Sequence, residues 1–207
     1  LLEEYAALYA AGSYTFADGL KLLSKRAELM DAACKATKGG MASVLGGDAA
    51  VIAEVAKEFG IDVANYNSPG QIVISGEAEK VDAAVAMLKE KGMRKIVAGA
   101  FHSRLMASAG EGLAQVLADA AIELPAFPVY HNFTGAPAGS VAELKDALKN
   151  QVAGSVHWYQ SVEKMVESGA DAMIEFGPGN VLTGLLRRTC KDVPGYNINS
   201  WESLNNF

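Results

Sequence analysis

The sequence predicts an α/β protein whose main sheet is interrupted by a small lobe with a sheet of its own. Two observations lead to this fold class. Helical apolar spacing alternates with short apolar runs along most of the 207 residues, which is typical of an α/β sheet. Residues 39–98 instead read, in order, as strand, helix, strand, strand, helix and strand. We therefore expect a core built from residues 1–38 and 99–207, with residues 39–98 as an inserted subdomain.

Composition restricts the class of function. Half of the residues are apolar and a fifth are charged, so the chain can bury a sizeable core. The net charge of −6, without clusters of lysine or arginine, argues against nucleic acid or an anionic membrane as the main partner. Lacking an apolar run long enough to span a bilayer, the protein is expected to be soluble and cytoplasmic. Its three histidines and scattered carboxylates show no metal-ligand spacing, and two cysteines cannot make a disulfide framework in a chain of this size. We expect no metal and no cofactor.

Two helices are predicted ahead of the lobe. Residues 1–8 are helical in composition, and Gly12 suits the left-handed position that follows a helix. Because a chain seldom begins inside a helix, we expect that something upstream is missing or was removed. Thr15 is a good N-cap for the next helix, and periodicity alone leaves Arg26 at the border of its apolar stripe, as a solvated charge. That stripe is predicted to comprise Phe16, Leu20, Leu23, Ala27, Met30 and Cys34.

Turn and capping residues divide the remaining chain into strands and helices. Asp48 is expected to cap a helix that Gly60 ends, and residues 67–70 favour a turn. After the lobe, helices are expected to follow His102 and to begin at Ser140, the first residue of a capping box. In the lobe, the strand and helix order is that of a ferredoxin-like split motif. The strands are predicted at residues 41–45, 61–65, 71–75, 95–98, 129–132 and 172–176.

Five stretches of the sequence form a recognisable set in this order and at these spacings. They are Glu4–Leu8, Arg26 within its long helix, residues 65–71, Phe101–Ser103 with Met106, and residues 175–184. The set resembles the malonyl-CoA:acyl carrier protein transacylases of fatty acid synthesis, and the resemblance covers essentially the whole chain. It implies an α/β-hydrolase-like core, here incomplete, that carries the ferredoxin-like subdomain.

The resemblance implies that a malonyl group passes from malonyl-CoA to the pantetheine thiol of acyl carrier protein through an acyl-serine. A serine hydroxyl needs a neighbouring imidazole to accept its proton, and the tetrahedral oxyanion needs backbone N–H donors. His102 matches the catalytic histidine of the family. Gln151 matches the residue whose main-chain carbonyl orients that histidine. The backbone N–H of Leu2 matches the oxyanion donor that follows the nucleophile.

On the substrate side, Arg26 matches the arginine that forms a bidentate ion pair with the free malonyl carboxylate. Phe101 resembles the bulky residue that leaves little room for an α-methyl branch. Asn67 would line the cleft between the lobes, although its side chain could instead satisfy its own turn backbone. His131 and His157 are expected to be structural and partly exposed.

The sequence departs from the family at the nucleophile. Registering the chain on Glu4 and Tyr5 places Leu1 at the serine and Glu3 at a glycine of the strained elbow. We therefore expect this chain alone to be inactive as a transferase.

Three other functions stay open at this point. They are an acyltransferase domain of a polyketide synthase, a non-catalytic module that binds acyl carrier protein or CoA, and a hydrolase of the same general fold. The last is disfavoured by Arg26, because hydrolases of simple esters need no carboxylate-binding arginine.

Overall fold

The computed structural model describes residues 2–89 and 100–207 as a mixed α/β protein. A short 3₁₀ turn, Arg104–Met106, precedes the fifth helix. The helices are α1 (Glu3–Ala10), α2 (Phe16–Ala36), α3 (Ala49–Glu58), α4 (Ala78–Lys89), α5 (Ala107–Asp119), α6 (Val141–Ala153), α7 (Trp158–Glu167), α8 (Val181–Thr189) and α9 (Trp201–Asn205). The strands are β1 (Gly39–Leu45), β2 (Asp62–Ser68), β3 (Gln71–Glu77), β4 (Met173–Phe176) and β5 (Gly195–Ile198).

The larger hydrophobic core lies among α1, α2, α5 and α6. Its fully buried side chains include Leu8, Leu113 and Leu148. As predicted, α1 is followed by Gly12 in the left-handed region, and the Thr15 hydroxyl caps α2 by accepting from the Asp18 N–H. Both predicted features, the glycine after α1 and the cap of α2, are therefore confirmed.

The predicted apolar stripe of α2 is confirmed in part, because Met30 is buried and Leu23 and Cys34 are partly buried against the core. Phe16 and Leu20 are half-exposed or more, whereas the buried face comprises Gly19, Leu22, Arg26, Met30 and Ala33. Gly19 belongs to this face because a Cβ there would lie 2.8 Å from the Tyr14 ring. Apolar periodicity cannot predict this face, because it includes Gly19, which packs against an aromatic ring, and Arg26, which is charged.

The lobe forms a three-stranded antiparallel sheet in the order β1-β3-β2. Asp48 caps α3 as predicted, and the buried face of α4 contains the predicted Val81, Ala84, Val85 and Leu88. These helices cover the sheet and complete a separate small core. The strand predicted at residues 95–98 lies outside the described residues.

Hydrogen bonds at several points join the lobe to the larger core, among them those of Val156 and Arg104. Val156 pairs with β2, where its N–H donates to Ala64 O and its carbonyl accepts from the Tyr66 N–H, both at 2.8 Å. Arg104 binds the Asp62 carboxylate through its guanidinium at 2.6 Å and through its backbone N–H at 2.8 Å. The turn that follows residue 102 is thereby held to the edge of the lobe.

The strand predicted at residues 129–132 is not formed. Its backbone bonds go to a local turn and a loop, because His131 N–H donates to Ala136 O and Asn132 O accepts from His157 N–H. The strand predicted at residues 172–176 is present as β4 and pairs in parallel with β5. Phe176 at its end is 72% exposed, and only β5 pairs with β4 among the described residues.

Candidate active site

A cleft of about 670 Å³ lies where α2, the start of α1 and the lobe meet. His102 and Arg26 both line it, although they are 76 residues apart in the sequence. Phe101 lines it beside His102, while Met41 and Asn65 contribute from strands β1 and β2 of the lobe. The cleft therefore brings together the two side chains to which the sequence assigned chemistry.

His102 is held in a backbone conformation that few residues adopt. Its φ of 54° is the only positive value at a non-glycine position among residues 2–89 and 100–207. Such a conformation costs on the order of 1–3 kcal/mol and persists only where the surroundings enforce it. Here Ser103 fixes the turn, because its hydroxyl donates to Ala100 O at 2.7 Å and accepts from the Leu105 N–H. In this conformation His102 lines the cleft.

The tautomer of His102 follows from the hydrogen bond that its ring makes to Gln151. Nδ1 lies 2.7 Å from the main-chain carbonyl oxygen of Gln151. A carbonyl can only accept, so Nδ1 carries the proton and the neutral ring keeps its lone pair on Nε2. Nε2 is therefore the nitrogen able to accept a proton.

Burial controls the charge of His102. The residue is 7% exposed, and desolvation lowers the pKa of its imidazole well below the usual 6.5. The guanidinium of Arg26 acts in the same direction, while the hydrogen bond to Gln151 opposes it. The ring is therefore neutral at pH 7, which is the form a general base requires.

The lowered pKa of His102 predicts a particular dependence of stability on pH. Below about pH 6.5 the imidazole of His102 is protonated in the unfolded state but stays neutral in the folded state. The free energy of unfolding therefore falls as the pH falls. Between about pH 7.5 and pH 5.5, we expect the free energy of unfolding of His102→Asn to fall by about 1 kcal/mol less than that of the unsubstituted protein. Urea unfolding of both proteins at the two pH values measures this. An identical pH dependence would contradict the assignment of a depressed pKa to His102.

Arg26 is a buried guanidinium on the middle of α2, so the prediction of a solvated charge is wrong. It is 7% exposed, its Nη2 donates to Gln151 Oε1 at 2.8 Å, and its guanidinium carbon lies 5.8 Å from the centre of the Tyr5 ring. Among the described residues, its Nε has no hydrogen-bond partner and no carboxylate forms an ion pair with it. A buried guanidinium in this condition is suited to bind an anion that enters the cleft.

Gln151 forms hydrogen bonds with both His102 and Arg26. It is fully buried on α6, where its backbone carbonyl accepts from His102 and its side-chain oxygen accepts from Arg26. Its side-chain nitrogen donates to Glu4 Oε2 at 2.8 Å and to Asn132 Oδ1 at 3.1 Å. One residue thus links the imidazole and the guanidinium to a buried carboxylate.

Of the other predicted site residues, Phe101 and Leu2 line the cleft and Asn67 does not. Phe101 stands beside His102 at the cleft, 36% exposed, and Leu2 lies at the edge of the cleft, where α1 begins. Asn67 is half-buried on β2 and is not among the described residues that line the cleft, whereas Asn65 is. The roles of Phe101, Leu2 and Asn67 stay predictions.

The sequence assigned no role to Glu4, His131 or Asn132. His131 is 1% exposed, so the expectation of partial exposure is wrong, and its Nδ1 lies 2.6 Å from Glu4 Oε1. Glu4 stands in a stretch that carries the family resemblance, which is the only signal that could have singled it out. His157 is half-buried and its ring stacks on Tyr66, away from the cleft.

In the described part of the chain, no group of three or more histidine, cysteine, aspartate or glutamate side chains is placed to hold a metal ion. No described helix is both long and apolar enough to cross a bilayer.

Comparisons with known proteins agree on one family. Residues 2–203 match the model of the acyl transferase domain. A malonyl CoA-acyl carrier protein transacylase of Synechocystis is 38% identical over 208 residues, which cover 100% of this chain and 70% of that protein. The polyketide biosynthesis protein ThaF of Burkholderia thailandensis is 42% identical over 194 residues, 90% of this chain but only 16% of ThaF. The crystal structure of FabD from Acinetobacter baumannii superposes with a TM-score of 0.93 at 34% identity, covering 98% of this chain and 67% of FabD.

Proposed function

The chain belongs to the acyl transferase domain family, and on this premise we propose that it is the part of a malonyl-CoA:acyl carrier protein transacylase that binds the malonyl group and moves the proton. One observation carries the proposal. A buried arginine without a carboxylate partner among the described residues and a neutral histidine line the same cleft. The free carboxylate of a malonyl thioester would bind the arginine, and its thioester carbonyl would be attacked beside the histidine.

In the proposed first half-reaction, His102 Nε2 accepts the proton of a serine hydroxyl as that oxygen attacks the malonyl thioester carbonyl. The C–S bond then breaks and CoA leaves as its thiol, taking the proton from the imidazolium. The Gln151 carbonyl keeps Nδ1 protonated throughout and stabilises the transient imidazolium. The backbone N–H of Leu2 is proposed to donate to the tetrahedral oxyanion.

Arg26 is proposed to bind the malonyl carboxylate through its planar fork. The carbon between the two malonyl carbonyl groups then lies near Phe101, whose ring is proposed to exclude an α-methyl branch. In the second half-reaction, the pantetheine thiol of acyl carrier protein attacks the ester, and His102 accepts the thiol proton and returns it to the serine oxygen.

The finer fold assignment belongs to this proposal. The strand order β1-β3-β2 supports a ferredoxin-like subdomain at residues 39–98, because that fold adds a fourth strand beside β1. Residues 1–38 and 99–207 would then be the α/β-hydrolase-like core. A cytoplasmic location is also proposed, in keeping with the two free cysteines Cys34 and Cys190.

The nucleophile gives a direct test. Residue 1, registered on the serine of the family, is leucine. We expect residues 1–207 incubated with radiolabelled malonyl-CoA to form no stable ester, because no hydroxyl occupies that position. The protein expressed from its complete reading frame is expected to transfer label to holo acyl carrier protein. An ester on residues 1–207 would contradict the assignment of residue 1, and absence of transfer by the complete protein would contradict the transacylase.

A polyketide-associated transacylase is the second candidate, favoured by the 42% identity to ThaF. The same assay separates the two, because a carrier protein from fatty acid synthesis and one from a polyketide synthase can be offered in parallel. Binding of either carrier without any transfer would instead indicate the non-catalytic module.

A further inference from the structure

The buried carboxylate of Glu4 lies behind the cleft, in contact with neither the cleft nor solvent. Glu4 is 3% exposed, and its Oε1 lies 2.6 Å from His131 Nδ1. Its Oε2 accepts from Gln151 Nε2 at 2.8 Å and from the Asn132 N–H at 3.3 Å. Every group that faces these two oxygens can donate, so the carboxylate accepts on both sides.

These contacts fix which way the Gln151 amide points. An amide side chain can be turned over at almost no steric cost, since its oxygen and nitrogen are nearly the same size. Here the NH₂ group has acceptors in Glu4 and in Asn132 Oδ1, so the oxygen is left to face Arg26. The reverse orientation would place an NH₂ group against a guanidinium and an amide oxygen against a carboxylate. Both contacts would be repulsive, and they would be screened only weakly because Gln151, Glu4 and Arg26 are buried.

We propose that Glu4 is a positioning residue for malonyl recognition: through the Gln151 amide it orients Arg26 toward the cleft. The inference rests on the proposed function, because it concerns the arginine assigned there to the malonyl carboxylate. The same Gln151 holds His102 through its backbone carbonyl, which does not depend on the side-chain orientation. Substitution of Glu4 therefore changes the selectivity for the substrate and has little effect on proton transfer by His102.

The test compares the affinities of residues 1–207 for malonyl-CoA and acetyl-CoA by calorimetric titration. Glu4→Met removes the acceptor at nearly constant volume. We expect it to weaken malonyl-CoA binding at least about fivefold, the effect of one lost hydrogen bond, with acetyl-CoA affinity changed less than about twofold. Glu4→Gln keeps an oxygen that can accept from the Gln151 amide, so it is expected to restore most of the malonyl affinity.

A second variant and a matched control complete the experiment. Glu4→Met leaves His131 Nδ1 without its acceptor, so the double variant E4M/H131L, which removes both partners, is titrated as well and is expected to show the same selective loss. Glu175→Gln is the control. Glu175 accepts the Leu182 and Thr183 N–H groups at the start of α8, outside the cleft, and its substitution is expected to leave the malonyl preference unchanged.

The outcomes separate this inference from the proposed function. If the unsubstituted chain does not prefer malonyl-CoA, the proposed function fails and the inference fails with it. If the unsubstituted chain prefers malonyl-CoA but the variants at Glu4 keep that preference, only the positioning role is overturned. An equal loss of affinity for both thioesters would also overturn it, because a purely structural carboxylate would act on both alike.

Discussion

Replacing His102 with alanine is expected to lower kcat/KM for malonyl transfer by about 10²- to 10⁴-fold, the usual contribution of a general base. The reason is that the neutral imidazole, whose Nδ1 binds the Gln151 carbonyl, is the group proposed to accept the serine proton on Nε2. The measurement is steady-state transfer of radiolabelled malonyl groups to holo acyl carrier protein by the protein from the complete reading frame.

His157→Asn is the matched control for that experiment. His157 is a half-buried histidine stacked on Tyr66 with a ring-centre separation of 5.3 Å, and it does not line the cleft. Its substitution is expected to leave kcat/KM within about twofold. A similar loss in both variants would show that the effect comes from stability, and a loss of less than about tenfold in His102→Ala would contradict the role of base.

Replacing Arg26 with alanine is expected to lower kcat/KM for malonyl-CoA by about one to two decades more than kcat/KM for acetyl-CoA. A charge-assisted hydrogen bond contributes about 1.5–3 kcal/mol, and each 1.4 kcal/mol corresponds to about tenfold. Acetyl-CoA has no carboxylate for the guanidinium to bind. The ratio of the two kcat/KM values is the quantity to measure.

Two further substitutions sharpen the Arg26 experiment. Arg26→Lys keeps the charge but loses the planar fork, so an intermediate ratio is expected. Arg104→Ala is the control, since that arginine is bound to Asp62 at the edge of the lobe and is 60% exposed in its side chain. Equal losses for malonyl-CoA and acetyl-CoA in Arg26→Ala would remove the selectivity argument.

Most of the fold could be predicted where local chemistry decides it. The caps at Thr15 and Asp48 and the buried face of α4 follow from residues within one or two turns. The strand predicted at residues 129–132 failed for the opposite reason. Whether an apolar run becomes a strand depends on a partner that is distant in the sequence, and here Asn132 O meets the His157 N–H.

The burial of Arg26 could not be predicted from periodicity. Charged helix residues are usually exposed, and the partner that makes this one tolerable, Gln151, lies 125 residues further along the chain. The resemblance to a family assigned a role to Arg26 and a role to Gln151, but it did not indicate that the two side chains are in contact. That one glutamine binds His102 through its backbone and Arg26 through its side chain is visible only in three dimensions.

The Glu4 network was missed for a related reason. A carboxylate in the first turn of a helix normally reads as a favourable charge near the positive end of the helix dipole. Glu4 does stand in the first turn of α1, yet it is buried against His131 and Gln151. Its partners lie 127 and 147 residues away, so no local pattern signals them.

The most direct test of the account is a calorimetric titration of residues 1–207, unsubstituted and as Arg26→Ala, with malonyl-CoA and acetyl-CoA. We expect the unsubstituted chain to bind malonyl-CoA about 10- to 100-fold more tightly than acetyl-CoA, and Arg26→Ala to bind the two alike. Equal affinities in the unsubstituted chain, or a malonyl preference that survives in Arg26→Ala, would contradict the claim that this guanidinium recognises the substrate carboxylate.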